Sequence, residues 1–155
     1  MKNEIQIDQL DRKILSMLIE NARIPFLEVA RACNISGAAV HQRVQRLIKL
    51  GIISGSQFNV DPKKLGYKTL AFIGIFLDNA ALFNDVSEKL KNIPEITQLH
   101  YITGQYAMFL EVHARDNEHL RVVLANKIQS IKGIARTETF ISLDILVNRQ
   151  LPVTE

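Results

Sequence analysis

Cysteine is nearly absent from this chain, and long apolar runs and low-complexity segments are lacking. Cys33 is the only cysteine in 155 residues, which excludes an internal disulfide and a zinc knuckle. No apolar run approaches the ~18 residues of a membrane span. The mixed charges of the first 13 residues exclude a secretory signal there. We therefore expect a cytoplasmic protein with no membrane contact, no cofactor and no bound metal.

The charge of the chain is unevenly distributed. Residues 1–60 hold eight basic and five acidic residues, whereas residues 61–155 hold eleven of each, so the whole net charge of +3 lies in the first part. This asymmetry indicates a polyanionic partner for one end of the chain. Hydrophobic residues make up 47% of the sequence, enough for a packed core in one ordinary domain or two small ones.

Apolar periodicity predicts three helices in the first sixty residues. The first begins at the N-cap Asp8 and ends near Asn21–Ala22, and the second begins at Pro25. After a turn at Asn34-Ile35, Ser36 is a favourable N-cap for the third helix, which stops at Gly51. The segment IISGSQFNV that follows is predicted to form a short hairpin or strand, the wing of a winged helix-turn-helix.

The second part of the chain reads strand, helix, strand, strand, helix, strand. This βαββαβ order is that of a ferredoxin-like sandwich. The predicted fold class is therefore α/β (α+β), with an N-terminal winged helix-turn-helix and a C-terminal ferredoxin-like domain. The predicted bounds are 1–60 for the first domain, 61–66 for a linker, 67–150 for the second domain and 151–155 for a tail.

The third helix has the pattern of a DNA-reading helix. At 3.6 residues per turn, an apolar stripe faces the core, made of Val40, Val44, Leu47, Ile48 and Leu50. The opposite side carries small residues first, then amides, then cations, and no carboxylate, which would repel phosphates. The predicted DNA-binding residues are Ser36, Gly37, Ala38, Ala39, His41, Gln42, Arg43, Gln45, Arg46 and Lys49.

Each part of this face suits a different part of duplex DNA. The small residues let the helix tip enter the major groove, and Gln42 and Gln45 can pair with adenine through N6 and N7. Arg46 and Lys49 can reach phosphates, which fix register without reading sequence. Arg43 lies on a flank, from which it can also reach a phosphate. The alternative for this residue is an ion pair with a carboxylate such as Glu20 or Glu28.

The residues that build these helices resemble the Lrp/AsnC regulators, the leucine-responsive or feast/famine family. The matching positions are Asp11, Ile14-Leu15, Arg23-Ile24, Ser36, Val40, Arg43, Val44, Leu47, Gly51 and Ile52. The resemblance continues through DPKKLG and the βαββαβ part to TETFISLDIL. It implies a transcription regulator that binds double-stranded DNA, dimerises through its second domain, often assembles into octamers or other even assemblies, and often senses amino acids.

The same resemblance implies an effector site near a subunit interface. A Thr-Gly-x-Tyr-Asp stretch of the family corresponds to Thr103, Gly104, Gln105, Tyr106 and Ala107, where alanine replaces the usual aspartate. The segment containing Thr137 and Thr139 resembles the last strand near that interface. Without the family resemblance, the stretch YITGQYAMFLEV predicts only a plain hairpin with Gly104 in its turn.

Two other classes of function compete with DNA-binding regulation. One is a small-molecule-sensing oligomerisation module whose helix-turn-helix mediates protein contacts. The other is an enzyme on the ferredoxin-like scaffold, ranked last because no local motif sets a nucleophile beside a base. If Gly104-Gln105 forms the turn, His113 faces residue ~96 and His100 lies roughly 13 Å further along, too far for one shared metal ion.

Overall fold

The computed structural model describes residues 7–153. They form two compact units, one of residues 7–59 with 147–153 and one of residues 60–146. The predicted linker 61–66 thus groups with the second unit, and the residues just after Leu146 group with the first. The functional division of the chain at the predicted bounds stays a prediction. The parts of it that concern residues 1–6 and 154–155 lie outside the described residues.

Three helices form the first unit, as predicted: α1 (Gln9–Glu20), α2 (Phe26–Cys33) and α3 (Gly37–Lys49). Helix α1 begins with a reciprocal capping box between Asp8 and Asp11, which satisfies two backbone donors of its first turn. Pro25 precedes α2 in an extended conformation. The predicted order of helices and the Asp8 cap are confirmed.

A tight turn sets α3 against α2. Asn34 adopts the left-handed conformation at φ 54°, which asparagine tolerates better than most residues. The Ser36 hydroxyl then accepts a hydrogen bond from the Ala39 N–H at 3.1 Å and caps α3. Burial of one stripe from each helix makes a shared core of Ile14, Val29, Ala30, Val40 and Val44. This arrangement is a helix-turn-helix with α3 as its second helix.

Two expectations for the first unit are wrong. Ile48 and Leu50 are 44% and 37% exposed. They lie at the edges of the apolar stripe, and only its centre meets the neighbouring helices. The predicted wing hairpin is also missing: within residues 7–153, no strand lies between α3 and Thr69. No second strand is available there for pairing, and Phe58 instead packs under the Arg23 guanidinium, 4.3 Å from its ring centre.

The second unit has the predicted βαββαβ order. Its strands are β1 (Thr69–Leu77), β2 (Ile96–Tyr101), β3 (Met108–Ala114) and β4 (Ile134–Ile141). A 3-10 turn leads into α4 (Phe83–Lys91), and α5 (Asn117–Val122) continues as a π-helical segment to Ile128. The sheet order is β2-β3-β1-β4 with all neighbours antiparallel, which is the strand order of a ferredoxin-like sandwich.

The sheet of the second unit has one covered face and one open face. Side chains alternate along each strand. Ala71, Ile73 and Ile75 on β1 are therefore buried against the helices, together with alternate residues of β3. The residues between them point the other way and define what we call the open face: Phe72, Gly74, Phe76, Phe109, Glu138 and Phe140.

Candidate functional site

The outward surface of α3 is polar, and its side chains form one shallow depression. The depression is lined by His41, Gln42, Gln45, Arg46, Lys49 and Leu50. Gln42, Gln45 and Lys49 are exposed and make no hydrogen bond or ion pair with any residue between 7 and 153. These side chains therefore keep their full hydrogen-bonding capacity for a partner outside the chain.

The start of α3 presents small side chains, as predicted. Ala38 is exposed, and Gly37 and Ala39 are half-buried. A Cβ atom added at Gly37 would meet nothing within 4 Å. This end of the helix is consequently narrow and unobstructed within its own unit. Ser36, by contrast, uses its hydroxyl as the helix cap, so the structure gives it a role in building the helix, and its contact with DNA stays a prediction.

Two of the three cations of α3 are held by carboxylates of α1. Arg43 Nη1 donates to Asp8 Oδ2 at 2.7 Å and to Asp11 Oδ1 at 2.8 Å, and Arg46 Nη1 donates to Asp11 Oδ2 at 2.9 Å. The Asp11 side chain is fully buried, whereas those of Arg43 and Arg46 are 30% and 50% exposed. A charge-assisted network therefore ties the first turn of α1 and its cap to α3.

The charges of this network stabilise one another. The pKa of Arg43 is raised, first by its hydrogen bond to Asp8 and next by its bond to Asp11. The pKa of Asp8 is lowered, first by the backbone N–H of Asp11 in the capping box and next by Arg43. The capping box and the ion pairs thus favour the same ionised state of Asp8.

The partners of Arg43 differ from those that the sequence suggested. The suggested alternatives were Glu20 and Glu28, and the structure shows Asp8 and Asp11 instead. These two aspartates stand 35 and 32 residues before Arg43, so no local spacing marks the pairing. The sequence indicated Asp8 only as a helix cap and Asp11 only as a position shared with the family.

In the second unit, the loop between β2 and β3 carries the residues expected to hold an effector. Thr103, Gly104 and Gln105 are exposed, and Gly104 has a φ of 114° that suits glycine. Tyr106 is half-buried and lies across β1 at Gly74, where an added Cβ would overlap its ring. The absence of a side chain at Gly74 therefore makes room for Tyr106.

Tyr106 is held in place by a small polar and aromatic cluster. Its hydroxyl donates to Glu138 Oε2 at 2.6 Å, and its ring packs edge-on against Phe76 with centroids 5.1 Å apart. Arg136 pairs with Glu138 Oε1 at 3.0 Å and lies 3.8 Å above the Phe76 ring. The hydrogen bond to the Glu138 carboxylate raises the pKa of Tyr106. Both oxygens of Glu138 are thus bound within the chain.

The structure does not bring Thr137 and Thr139 together with this cluster. They pair with Ile75 and Ile73 and face the helix-covered side of the sheet, where Thr137 Oγ1 accepts from Gln129 Nε2 at 2.9 Å. Successive side chains of a strand point to opposite faces of the sheet, so the alternate residues Arg136 and Glu138 of β4 lie on the face that carries Tyr106. Within one chain, Thr137 and Thr139 therefore lie on the opposite face of the sheet from Tyr106, and their part in an effector site stays a prediction.

The histidines of the hairpin follow the expected register. His100 pairs with Phe109, and the His113 N–H donates to the Glu95 carbonyl. The side chain of His100 contacts Gln98 at 2.9 Å and that of His113 contacts Glu111 at 3.1 Å. In the part of the chain described, no three potential metal ligands cluster. None of the helices there is long and apolar enough to cross a membrane.

Two protein-family models match most of the chain. A model for winged helix-turn-helix DNA-binding domains matches residues 7–54, and the model for the Lrp/AsnC ligand binding domain matches residues 70–152. The chain belongs to the Lrp/AsnC family. Family membership explains why an N-terminal helix-turn-helix and a βαββαβ unit occur together in one short chain.

Characterised members of the Lrp/AsnC family match almost the whole chain. The regulatory protein AsnC of Escherichia coli strain K12 is 41% identical over 145 residues, which cover 94% of this chain and 95% of AsnC. The transcriptional regulator LrpA of Pyrococcus horikoshii is 37% identical, with coverage of 90% and 99%. The solved structure of Escherichia coli AsnC superimposes with a TM-score of 0.92 at 40% identity, covering 95% of this chain and 99% of that one.

These likenesses confirm the predicted family and fold class. As an Lrp/AsnC member with a DNA-binding helix-turn-helix, the protein is a DNA-binding transcription regulator. Its relatives carry the names of regulators, a role that involves no catalysis.

Proposed function

We propose that the outward face of α3 reads double-stranded DNA, with a division of labour along the helix. The observation that carries this proposal is the exposed, carboxylate-free surface on which Gln42, Gln45 and Lys49 have no partner in the described chain. Ala38 and its small neighbours enter the major groove. Gln42 and Gln45, with His41 beside them, face base edges, and Arg46 and Lys49 contact phosphates.

The proposal assigns Arg43 differently from the other cations. Its guanidinium bonds two carboxylates of α1 and is only 30% exposed, so its contribution is to hold α3 in place. Loss of Arg43 would leave the buried Asp11 carboxylate with one cation fewer, which is costly for the fold. We therefore place Arg43 outside the set of phosphate contacts.

Salt-dependent DNA binding tests the phosphate contacts. Each phosphate that a cation neutralises adds about 0.9 to the slope of log affinity against log salt concentration, because condensed counterions are released. Lys49→Ala and Arg46→Ala should each lower that slope by about 1 and weaken binding to selected and random duplexes alike. Lys91→Ala, which removes an exposed lysine from α4, is the control and should leave the slope unchanged. Unchanged slopes in both α3 variants would refute these assignments.

Base reading by Gln42 predicts a different pattern from phosphate contact. Gln42→Ala should cost about 1–3 kcal/mol on a duplex that the protein has selected from a random library, because a bidentate contact to adenine is lost. On random DNA, the same variant should bind almost like the wild type. Equal losses on both kinds of duplex would contradict base reading at this position.

We also propose that the protein works as an isologous dimer through the open face, with octamers or other even assemblies built from that dimer. The support is the aromatic surface of Phe72, Phe76, Phe109 and Phe140, which no helix of the unit covers; Phe140 is 48% exposed. Such a dimer would present two reading helices to successive major grooves. Because such a dimer would act on chromosomal DNA, we expect the protein to be located in the same compartment as that DNA.

For the second domain, we propose a weakened or altered response to amino acids. Its match to the family's ligand binding domain supports a small-molecule role for the loop 103–107. Ala107 lacks the carboxylate that the family resemblance leads one to expect, and both oxygens of the nearby Glu138 are already bound by Tyr106 and Arg136. A buried ammonium group of an amino acid would therefore find no carboxylate in the loop 103–107, and Glu138 would have to exchange a partner to bind it; Glu111 on β3 is the other carboxylate that could substitute.

A further inference from the structure

A buried carboxylate behind the reading helix carries an inference beyond the contacts assigned above. Asp11 is fully buried in the first turn of α1, and both of its oxygens are engaged: Oδ1 accepts from Arg43, and Oδ2 accepts from Arg46 and from the Asp8 N–H at 3.2 Å. We propose that Asp11 is a positioning residue for DNA binding, which orients the Arg46 guanidinium toward the phosphate backbone. This inference rests on the phosphate role proposed for Arg46.

The geometry suits such a role because the two partners differ in freedom. Asp11 is short, buried and fixed by its own backbone bond to Asp8 Oδ1 at 2.7 Å. Arg46 is long and 50% exposed, and an unrestrained arginine loses much rotamer freedom when it binds. A planar guanidinium can bind a carboxylate along one edge and a phosphate along another. The bond to Asp11 thus reduces the ordering that DNA binding would otherwise require.

Asp8 provides a matched control for the charge of Asp11. Asp8→Asn and Asp11→Asn each remove one negative charge from a carboxylate that contacts Arg43, at 2.7 and 2.8 Å. Only Asp11 also contacts Arg46. Asparagine is about as good an N-cap as aspartate, so Asp8→Asn preserves the start of α1. A general electrostatic effect would move both variants alike, whereas positioning through Arg46 would separate them.

The experiment measures binding of the full chain to a duplex that the wild type has selected from a random library, at several salt concentrations. We expect Asp11→Asn to bind the duplex about tenfold more weakly than Asp8→Asn. A loss of this size corresponds to about one hydrogen bond between charged groups. In an Arg46→Ala background, the two variants should bind equally, because the group through which Asp11 acts is gone. Equal binding in the wild-type background, or tighter binding by Asp11→Asn, would overturn the proposal.

A second variant keeps the test decisive if Asp11→Asn unfolds, which thermal unfolding of each variant would reveal. Arg46→Lys leaves the buried Asp11 carboxylate intact and retains the positive charge. The substituted residue is itself half-exposed, so the fold should tolerate the change. We expect it to keep the wild-type salt slope and to lose affinity, because an ammonium lacks the planar fork. If Arg46→Lys binds the duplex as tightly as the wild type, the positioning role of Asp11 is contradicted. If Arg46→Ala itself binds normally, the phosphate role of Arg46 fails, and this outcome is distinct from either result above.

Discussion

At the scale of single residues, the three cations of α3 are not equivalent. Arg43 and Arg46 meet the carboxylates of α1, whereas Lys49 has no partner among residues 7–153. The sequence placed Arg46 and Lys49 on the outward side of the helix and Arg43 on its flank. The observed ion pairs support the proposed division, in which Arg43 holds the fold, Arg46 serves both fold and DNA, and Lys49 contacts DNA only.

Ala107 is the residue on which the response to small molecules depends most. We expect calorimetry to show no micromolar binding of any of the twenty amino acids to the wild type, because no free carboxylate of the loop meets a ligand ammonium. Ala107→Asp should create or strengthen binding. Ala125→Asp adds the same charge at an exposed position in the π-helical segment and should not. A micromolar ligand for the wild type whose affinity Ala107→Asp leaves unimproved would show that position 107 is misinterpreted.

At the scale of elements, β1 and the β2–β3 loop depend on each other through Gly74. The missing side chain lets the Tyr106 ring lie against the strand, and this contact aligns the Tyr106 hydroxyl with Glu138 on β4. A single glycine therefore links three strands on the open face. Its neighbours Ile73 and Ile75 are fully buried on the other side, so the strand itself has little room to shift.

Gly74→Ala should destabilise the fold by about 1–3 kcal/mol, the usual cost of overpacking a fitted site. The added Cβ would push the Tyr106 ring away and break its hydrogen bond to Glu138. Urea unfolding measures the effect. In a Tyr106→Ala background the same change should cost much less, because the ring that the added Cβ would meet is gone.

Gly37→Ala is the control for Gly74→Ala: it adds a methyl group where nothing lies within 4 Å, at a helical position that favours alanine. Equal costs at Gly74 in both backgrounds would contradict this account.

At the scale of the whole molecule, the open face predicts the assembly state. We expect light scattering at micromolar concentration to give at least a dimer for the wild type. Phe140→Lys should lower the mass toward that of a monomer, because it places a charge in the aromatic surface. Leu27→Lys, at a 59% exposed apolar residue of α2, should leave the mass unchanged. A monomeric wild type would defeat the proposed dimer.

The amino-acid sequence alone was enough to predict the three helices of the first unit, the strand and helix order of the second unit, and the family. Apolar periodicity marked α1, α2 and α3, and Ser36 and Asp8 were recognisable as caps because capping depends on neighbours within four residues. The hairpin register also followed from a local turn, which predicted that His113 faces residue ~96, and its N–H indeed bonds the Glu95 carbonyl. The carboxylate-free face of α3 was visible for the same reason, since a helix brings residues three and four apart together.

Contacts between side chains far apart in the sequence became clear only from the packing of the elements. It paired Arg43 with Asp8 and Asp11, left Ile48 and Leu50 exposed at the edge of their stripe, and gave the segment after Gly51 no strand partner within residues 7–153. It also put Glu138, and not Thr137, beside Tyr106, because a strand sends alternate residues to opposite faces and the choice of face depends on which strand lies alongside. Local chemistry fixes the elements, whereas contacts across 32 or more residues depend on how those elements pack.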